Sequence, residues 1–482
     1  MISLSGQPVT WAAFAFLVAA TPLPASAQWP QFRGPNGSGI DSATGYPLKF
    51  SPTENVLWKV PVSSAQSSPV VVGERIYLTT SDAKSLITIC LDAASGRELW
   101  RREIPRARTA DVYHANDPAS PTPAADERGV VVFFEDFGLA AYSPEGKDRW
   151  TAPLGPFKNF YGMAASPILV GDLVVMLCDQ QKGSFLLALD AKTGGKKWRT
   201  ERPGADIGWA TPMVFRARPS DAAQLIVLGS TRLDSYALDS GEPRWWMPLA
   251  SDGAIGTPVA SGDTLFVSTS GSAEPSMPTF ESMLEKHDAD KNQKLSRPEF
   301  AAEKDMAEHF GWVDTDDDGS LTSQEWAVAR SLGVGEFGAI SVRPGESRGK
   351  LDASAVLWRF KRNLPYIPAP LLYDGALYLV KNGGIITTLD PSTGAILKQG
   401  RTSDAIGEYY ASPVAAEGKI FLASVDGKVS VVKAGPAWEV LAVNNLGENI
   451  KATPALSGGR LYVRTDKSLF CFGTAPPKKA AR

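Results

Sequence analysis

Short apolar runs separated by polar turns recur along the whole chain, a pattern that predicts many short β-strands rather than amphipathic helices. The clearest stretch, Leu186 to Trp198, reads LLALDAKTGGKKW: an apolar strand, an Asp-x-x-x-Gly turn, then a strand ending on Trp. Asp can bond its own turn backbone and Gly can take positive φ, so the reversal is tight. The same text recurs as ICLDAASGRELW at Ile89 to Trp100, as YALDSGEPRWW at Tyr236 to Trp246 and, degraded, as TTLDPSTGAILK at Thr387 to Lys398. Such self-similarity decides the fold before any single residue does.

A second marker, a small residue followed by Pro at the start of a strand, makes the repeat countable. It occurs at Pro69, Pro121, Pro167, Pro212, Pro258, Pro370, Pro413 and Pro454, with spacings of 52, 46, 45, 46, 112, 43 and 41 residues. Removing Ser272 to Glu336, 65 residues, reduces the odd spacing to 47 and places an insertion inside the fifth repeat. Each repeat holds four strand candidates, in the third SPILVG, DLVVMLCD, SFLLALDA and GKKWRTE. Four antiparallel strands per repeat in radial array predict an all-β, eight-bladed β-propeller. The last repeat ends after its third strand at Ser468 to Gly473. An orphan strand near the start, Asn55 to Val62, carries Trp58 where other repeats carry Trp100, Trp150, Trp198 and Trp358, and is expected to close the ring.

The expected organisation is therefore a secretory signal at 1–27, a lead-in at 28–54, blades at 55–271 and 337–473 around the insertion at 272–336, and a disordered tail at 474–482. The signal reading rests on apolar Trp11 to Ala20 followed by Ala25-Ser26-Ala27; the run is too short to span a bilayer. It predicts an exported protein, periplasmic or extracellular. A net charge of −3 offers no basic field for nucleic acid. The three cysteines, Cys90, Cys178 and Cys471, are far apart in strand-like text and read as buried structural thiols.

The repeat LDAxTGxxxW resembles the pyrroloquinoline-quinone-type propeller repeat of quinoprotein dehydrogenases and barrel-assembly scaffold lipoproteins. The resemblance covers roughly residues 55 to 473 outside the insertion and implies that the outer-strand tryptophans dock between neighbouring blades. It specifies architecture more strongly than activity.

Within the insertion, Asp288, Asp290, Asn292, Ser296 and Glu299 place oxygen-bearing side chains at positions 1, 3, 5, 9 and 12 of a loop, with the carbonyl of Lys294 at position 7. Asp314, Asp316, Asp318, Ser320, Thr322 and Glu325 repeat the pattern with Gly319 at position 6. Ca²⁺ takes six to eight oxygens, which alternate carboxylates and a bidentate Glu on a bent loop supply. The segment resembles a pair of EF-hands, with Gln293 standing where the first loop would have Gly. Weaker binding is expected there. Leu295 and Leu321 can pair between the loops, and Phe280, Met283, Leu284, Phe300, Met306, Phe310, Trp312 and Trp326 can form a small core.

The inter-blade loops are rich in aromatics and amides, and the candidate ligand residues are Tyr113, His114, Asn116, Asn159, Tyr161, Trp209, Tyr366, Tyr409 and Tyr410. Rigid aromatics with polar tips suit a peptide or sugar. The expected function is a monomeric, Ca²⁺-binding propeller that holds a protein or polysaccharide without catalysis. The alternative is a quinone-dependent dehydrogenase. That branch of the resemblance implies an adjacent Cys pair and a catalytic Asp and Ca²⁺ ligands lining the channel, whereas no two Cys here are neighbours and the clear Ca²⁺ motifs lie in the insertion, so pyrroloquinoline quinone is not expected to be its cofactor.

Overall fold

A computed structural model describes residues 28–109 and 116–474. Eight blades of four antiparallel strands follow one another around a ring, the strands in chain order from the axis outward except in the eighth. A short extra strand joins blade 1 at its inner edge, and another, Gly349–Lys350, joins blade 4 in parallel at its outer edge. The third blade is typical: Ile168–Val170, Leu173–Cys178, Phe185–Asp190 and Lys196–Glu201. Its central strands are buried along almost their whole length, because each sheet packs on both faces against a neighbour. Among the described residues the only α-helices lie in the insertion: α1 (Phe280–His287), α2 (Lys304–Val313) and α3 (Ser323–Ser331).

The Asp-x-x-x-Gly turns do what their chemistry predicts. Asp190 Oδ1 accepts the backbone N–H of Lys192 at 3.0 Å and of Thr193 at 2.9 Å, while Gly194 takes φ +72°. The turn is also a docking seat. Trp150 of blade 2 lies over it and donates its Nε1–H to the Ala191 carbonyl at 3.1 Å, and a Cβ on Gly194 would stand 2.7 Å from the indole. Trp58, Trp100, Trp198 and Trp358 make the same bond to the next blade, at Ala93, Pro144, Leu238 and Pro391. Blade 6 has Lys398 at this place, and Trp438 from blade 7 fills the gap with the Lys398 ammonium 4.5 Å from its ring centroid.

Ring closure comes from the chain's opposite ends. Val56–Pro61 pairs with Ser468–Phe472, with Trp58 opposite Cys471, so the N-terminal strand is the outer strand of blade 8. One marker is displaced from its sequence assignment. The inner strand of blade 2 is Ala124–Asp126, opened by Thr122-Pro123 rather than by Ser120-Pro121. Two Pro-containing pairs stand side by side there, and only the strand pairing tells them apart.

The lead-in is a structured plug. Gln28–Trp29 pairs with the inner strand of blade 1, and the Pro30 carbonyl accepts Ala125 N–H of blade 2. Asn36 exchanges two hydrogen bonds with Val214 of blade 4, Arg33 donates to the Pro370 carbonyl of blade 6, and Gly39 accepts Ala415 N–H of blade 7. It thereby crosses the inner edges of five blades and satisfies strand edges that would otherwise be open. Arg33 is fully buried, and burial pulls its guanidinium down to about 9.

The insertion leaves blade 5 between its second strand, Thr264–Thr269, and its third, Gly338–Val342. Phe280, Phe300, Phe310 and Trp326 form its core with Leu295 and Leu321, which pair across the two loops. The predicted signal segment 1–27 and most of the predicted tail lie outside the described residues. Among the described residues no helix is long and apolar enough to cross a membrane.

Candidate functional site

Ahead of six of the eight inner strands a backbone N–H turns toward the next blade, where a Ser or Thr hydroxyl receives it. Ser68 donates to Thr122 at 2.9 Å, Thr122 to Ser166 at 2.9 Å and Ser166 to Thr211 at 3.1 Å. On the other side Ala369 donates to Ser412 at 3.0 Å, Ser412 to Thr453 at 3.0 Å and Thr453 back to Ser68 at 3.1 Å. The ring is interrupted on both sides of blade 5: its buried Thr257 hydroxyl finds no partner, and Ala369 of blade 6 has no hydroxyl to offer. These hydroxyls form the polar waist of the channel.

Above the waist the inter-blade loops build a cup of about 260 Å³. Tyr161, Trp209, Tyr366 and Tyr410 make its aromatic wall, Asn116 and Gln66 add amides, and Phe32 of the lead-in is part of its floor. Tyr161 meets Trp209 edge-on at 5.7 Å, and Trp209 donates its Nε1–H to the Gly162 carbonyl at 2.8 Å. Tyr366 is 49% exposed, and the Lys451 ammonium stands 5.6 Å from the centroid of Tyr410. The described residues lining the cup include no carboxylate and no thiol. All three cysteines are free and buried within strands.

Five of the candidate ligand residues meet in this cup: Asn116, Tyr161, Trp209, Tyr366 and Tyr410. Two others face inward. Asn159 is buried and bonds the Asp179 carbonyl, and Tyr409 is buried with its hydroxyl on the Ala405 carbonyl while its neighbour Tyr410 lines the cup. Tyr113 and His114 lie outside the described residues. Sequence reading missed Phe32, Ile255, Ile367 and Lys451 in the lining. The small residue before each Pro was the one visible trace of the hydroxyl ring.

In the insertion, Asp288, Asp290 and Glu299 bring carboxylate oxygens within 4.8 Å of one another, and Asp314, Asp316 and Glu325 do the same. In the first loop Asp288 is spent on the backbone N–H groups of Asn292 and Gln293, at 3.1 and 2.9 Å. Gln293 is forced to φ +63°, a left-handed conformation that costs a non-glycine residue about 1–2 kcal/mol. The second loop uses Gly319 at φ +81° instead. There Asp314 is 4% exposed, its Oδ1 has no hydrogen-bond partner, and burial pushes its carboxyl up. A buried carboxylate oxygen aimed into a group of carboxylates fits a hard cation. Asn292 and Lys294 of the first loop, and Asp318, Ser320 and Thr322 of the second, occupy the intervening turn positions. Ser296 and Thr322 bond Glu299 and Glu325 as they enter the following turns.

A buried acid lies under the 154–163 loop beside the cup. Glu135 Oε2 accepts Met163 N–H at 3.0 Å and its Oε1 has no partner. Burial raises its carboxyl from 4.5 to about 7; Asp136 adds to the rise, while the Met163 bond and Arg108 oppose it. The unfolded chain would ionise this acid near pH 4.5, so the native state loses stability as pH rises from there to about 7 and then levels off. Glu135→Gln removes the ionisable group. Wild type is therefore expected to lose about 2–3 kcal/mol relative to Glu135→Gln across that interval, read by denaturant melts at successive pH values.

A protein-family model described as outer membrane protein assembly factor BamB matches residues 50–232 and 187–475. The chain belongs to this family. Among solved structures, BamB from Moraxella catarrhalis is similar at 13% identity and TM-score 0.53, covering 88% of this chain and 100% of that one. A europium-containing methanol dehydrogenase is similar at 10% identity and TM-score 0.58, covering 94% and 99%. The quinohemoprotein alcohol dehydrogenase of Comamonas testosteroni is similar at 12% identity and TM-score 0.54, covering 94% and 82%. These likenesses share the ring of blades. No curated protein sequence matches the chain.

Proposed function

We propose that this family member is an exported, non-catalytic propeller that holds a segment of a partner protein in the aromatic cup and carries Ca²⁺ in the loops of its insertion. The observation that carries the reading is the cup itself. Its described lining offers aromatic faces, hydroxyls, amides and one ammonium, and includes no carboxylate, imidazole or thiol. Tyr and Trp contribute large rigid contact area with a polar tip, which favours peptide docking. Membership in an assembly-factor family favours a protein partner over a polysaccharide. Asp314, Asp316 and Glu325 would hold Ca²⁺ with help from the turn residues between them. The ion would supply charge neutralisation and loop rigidity.

Tyr366→Ala with Tyr410→Ala is the test. Partners retained from an exported-protein extract by the wild-type chain should bind the double variant roughly 10-fold or more weakly, with folding unchanged. Equal retention would overturn the cup as the docking site. Quinone absorbance that co-purifies, together with dye reduction on adding an alcohol, would replace the reading with a dehydrogenase.

A further inference from the structure

The insertion is not a free appendage. Lys158, in the inter-blade segment between blades 2 and 3, donates from Nζ to the Thr315 carbonyl at 2.7 Å and the Asp314 carbonyl at 3.4 Å, and pairs with Asp317 Oδ2 at 2.7 Å. Gln181, in the hairpin loop of blade 3, donates to the Trp312 carbonyl at 2.9 Å, and the Phe160 ring meets His309 at 5.7 Å. Lys158 N–H donates to Gln180 Oε1 and the Lys158 carbonyl accepts Gln181 N–H, both at 2.9 Å, so the two propeller loops act as one grip. The grip takes positions 1, 2 and 4 of the second loop by carbonyls and by Asp317. It leaves the converging oxygens of Asp314, Asp316 and Glu325 to a cation.

Three residues beyond Lys158 the same segment becomes the wall of the cup. Tyr161 N–H bonds Asn159 Oδ1 at 3.2 Å, the Tyr161 carbonyl accepts Asn116 Nδ2–H at 2.6 Å, and the Tyr161 ring supports Trp209. The second loop carries Asp314, Asp316, Asp317, Asp318 and Glu325, opposed within ion-pair distance by Lys158 and Lys294. Without a divalent ion these carboxylates repel one another, and the carbonyls that Lys158 grips lose their fixed places. With the ion, the loop becomes a rigid acceptor for the grip.

We infer that occupancy of the second loop by a divalent cation stiffens the 158–162 wall and tightens ligand binding in the cup, with Lys158 as the positioning residue that joins the two sites. This rests on the proposed reading of loop and cup. Linkage makes the effect reciprocal, so loss of the grip must also weaken cation binding. Charge alone predicts the opposite, since removing an ammonium beside a cation site favours the cation. The sign of the change therefore separates the two causes.

Hydrogen exchange with and without Ca²⁺, on the full chain and on Lys158→Met and Glu325→Gln, reads the coupling without a ligand. In wild type, Ca²⁺ should slow exchange at 314–325 and at 157–163. In Lys158→Met it should slow exchange at 314–325 alone, with the Ca²⁺ dissociation constant raised roughly fivefold, the low end of usual coupling. Glu325→Gln should abolish both effects. Protection at 314–325 with no change at 157–163 in wild type would overturn the coupling, as would unchanged or tighter Ca²⁺ binding by Lys158→Met. Absence of protection anywhere in wild type would overturn the Ca²⁺ reading, and the inference with it.

Discussion

Arg202→Met is expected to lower the unfolding free energy by about 3–5 kcal/mol, the largest single-residue effect we anticipate in the ring. Arg202 follows the outer strand of blade 3 and is buried together with its partners. It bonds both oxygens of Asp179, at 2.8 and 3.0 Å, and reaches across the blade boundary to Asp234 Oδ2 at 3.0 Å and to the Tyr236 hydroxyl at 2.5 Å. Burial pushes the Asp179 carboxyl up against the pull of Arg202, while these same carboxylates outweigh burial and hold Arg202 firmly charged. Bidentate geometry describes an intact ion pair. Removing the cation strands buried Asp179 in a low-dielectric setting and leaves Asp234 with Arg232 alone, at 2.8 Å, which costs far more than the pair itself contributes. Denaturant melts should show the loss at neutral pH. The deficit should shrink in acid, where protonation discharges the stranded Asp179, and adding Asp179→Asn to Arg202→Met should recover part of it.

Glu325→Gln is expected to weaken Ca²⁺ binding on the order of 100-fold, against a smaller loss for Glu299→Gln, because ligand charge and loop rigidity tune affinity over several decades. Glu325 is the last acidic residue of the loop that has Gly319 at its bend and the buried, unpaired Asp314 oxygen at its head. In the first loop the left-handed φ of Gln293 disfavours the loop conformation, and both oxygens of Asp288 are already taken by backbone N–H groups. Neither change should move the main thermal transition. The core of the insertion is separate from the blade cores, and both neighbouring strands of blade 5 pair with each other from Leu265 to Thr269 whatever the insertion does. Titration calorimetry beside thermal melts decides it. Equal affinity losses, or collapse of the ring on chelation, would show the metal to be structural to the propeller.

By itself the sequence determined the repeat architecture: eight four-stranded blades, the insertion in the fifth, and the N-terminal strand that closes the eighth. Those features are local and periodic. Asp190 and Gly194 make their turn from residues four apart, and a strand's apolar run announces its burial without reference to partners. The acidic loops were legible for the same reason, since all their oxygens lie within a dozen residues. Tertiary structure alone decided what those pieces surround. The cup gathers Asn116, Tyr161, Trp209, Tyr366 and Tyr410 from several blades, and turns Asn159 and Tyr409 away from it, through strand register and ring curvature that no local pattern encodes. The lead-in's role as a plug depends on strand edges more than 300 residues away, such as Pro370 for Arg33. Lys158 reads as an ordinary surface lysine until the ring brings blade 3 beside the insertion of blade 5. Contacts of that separation leave no periodic trace in the chain, because any residue able to reach the acceptor will serve.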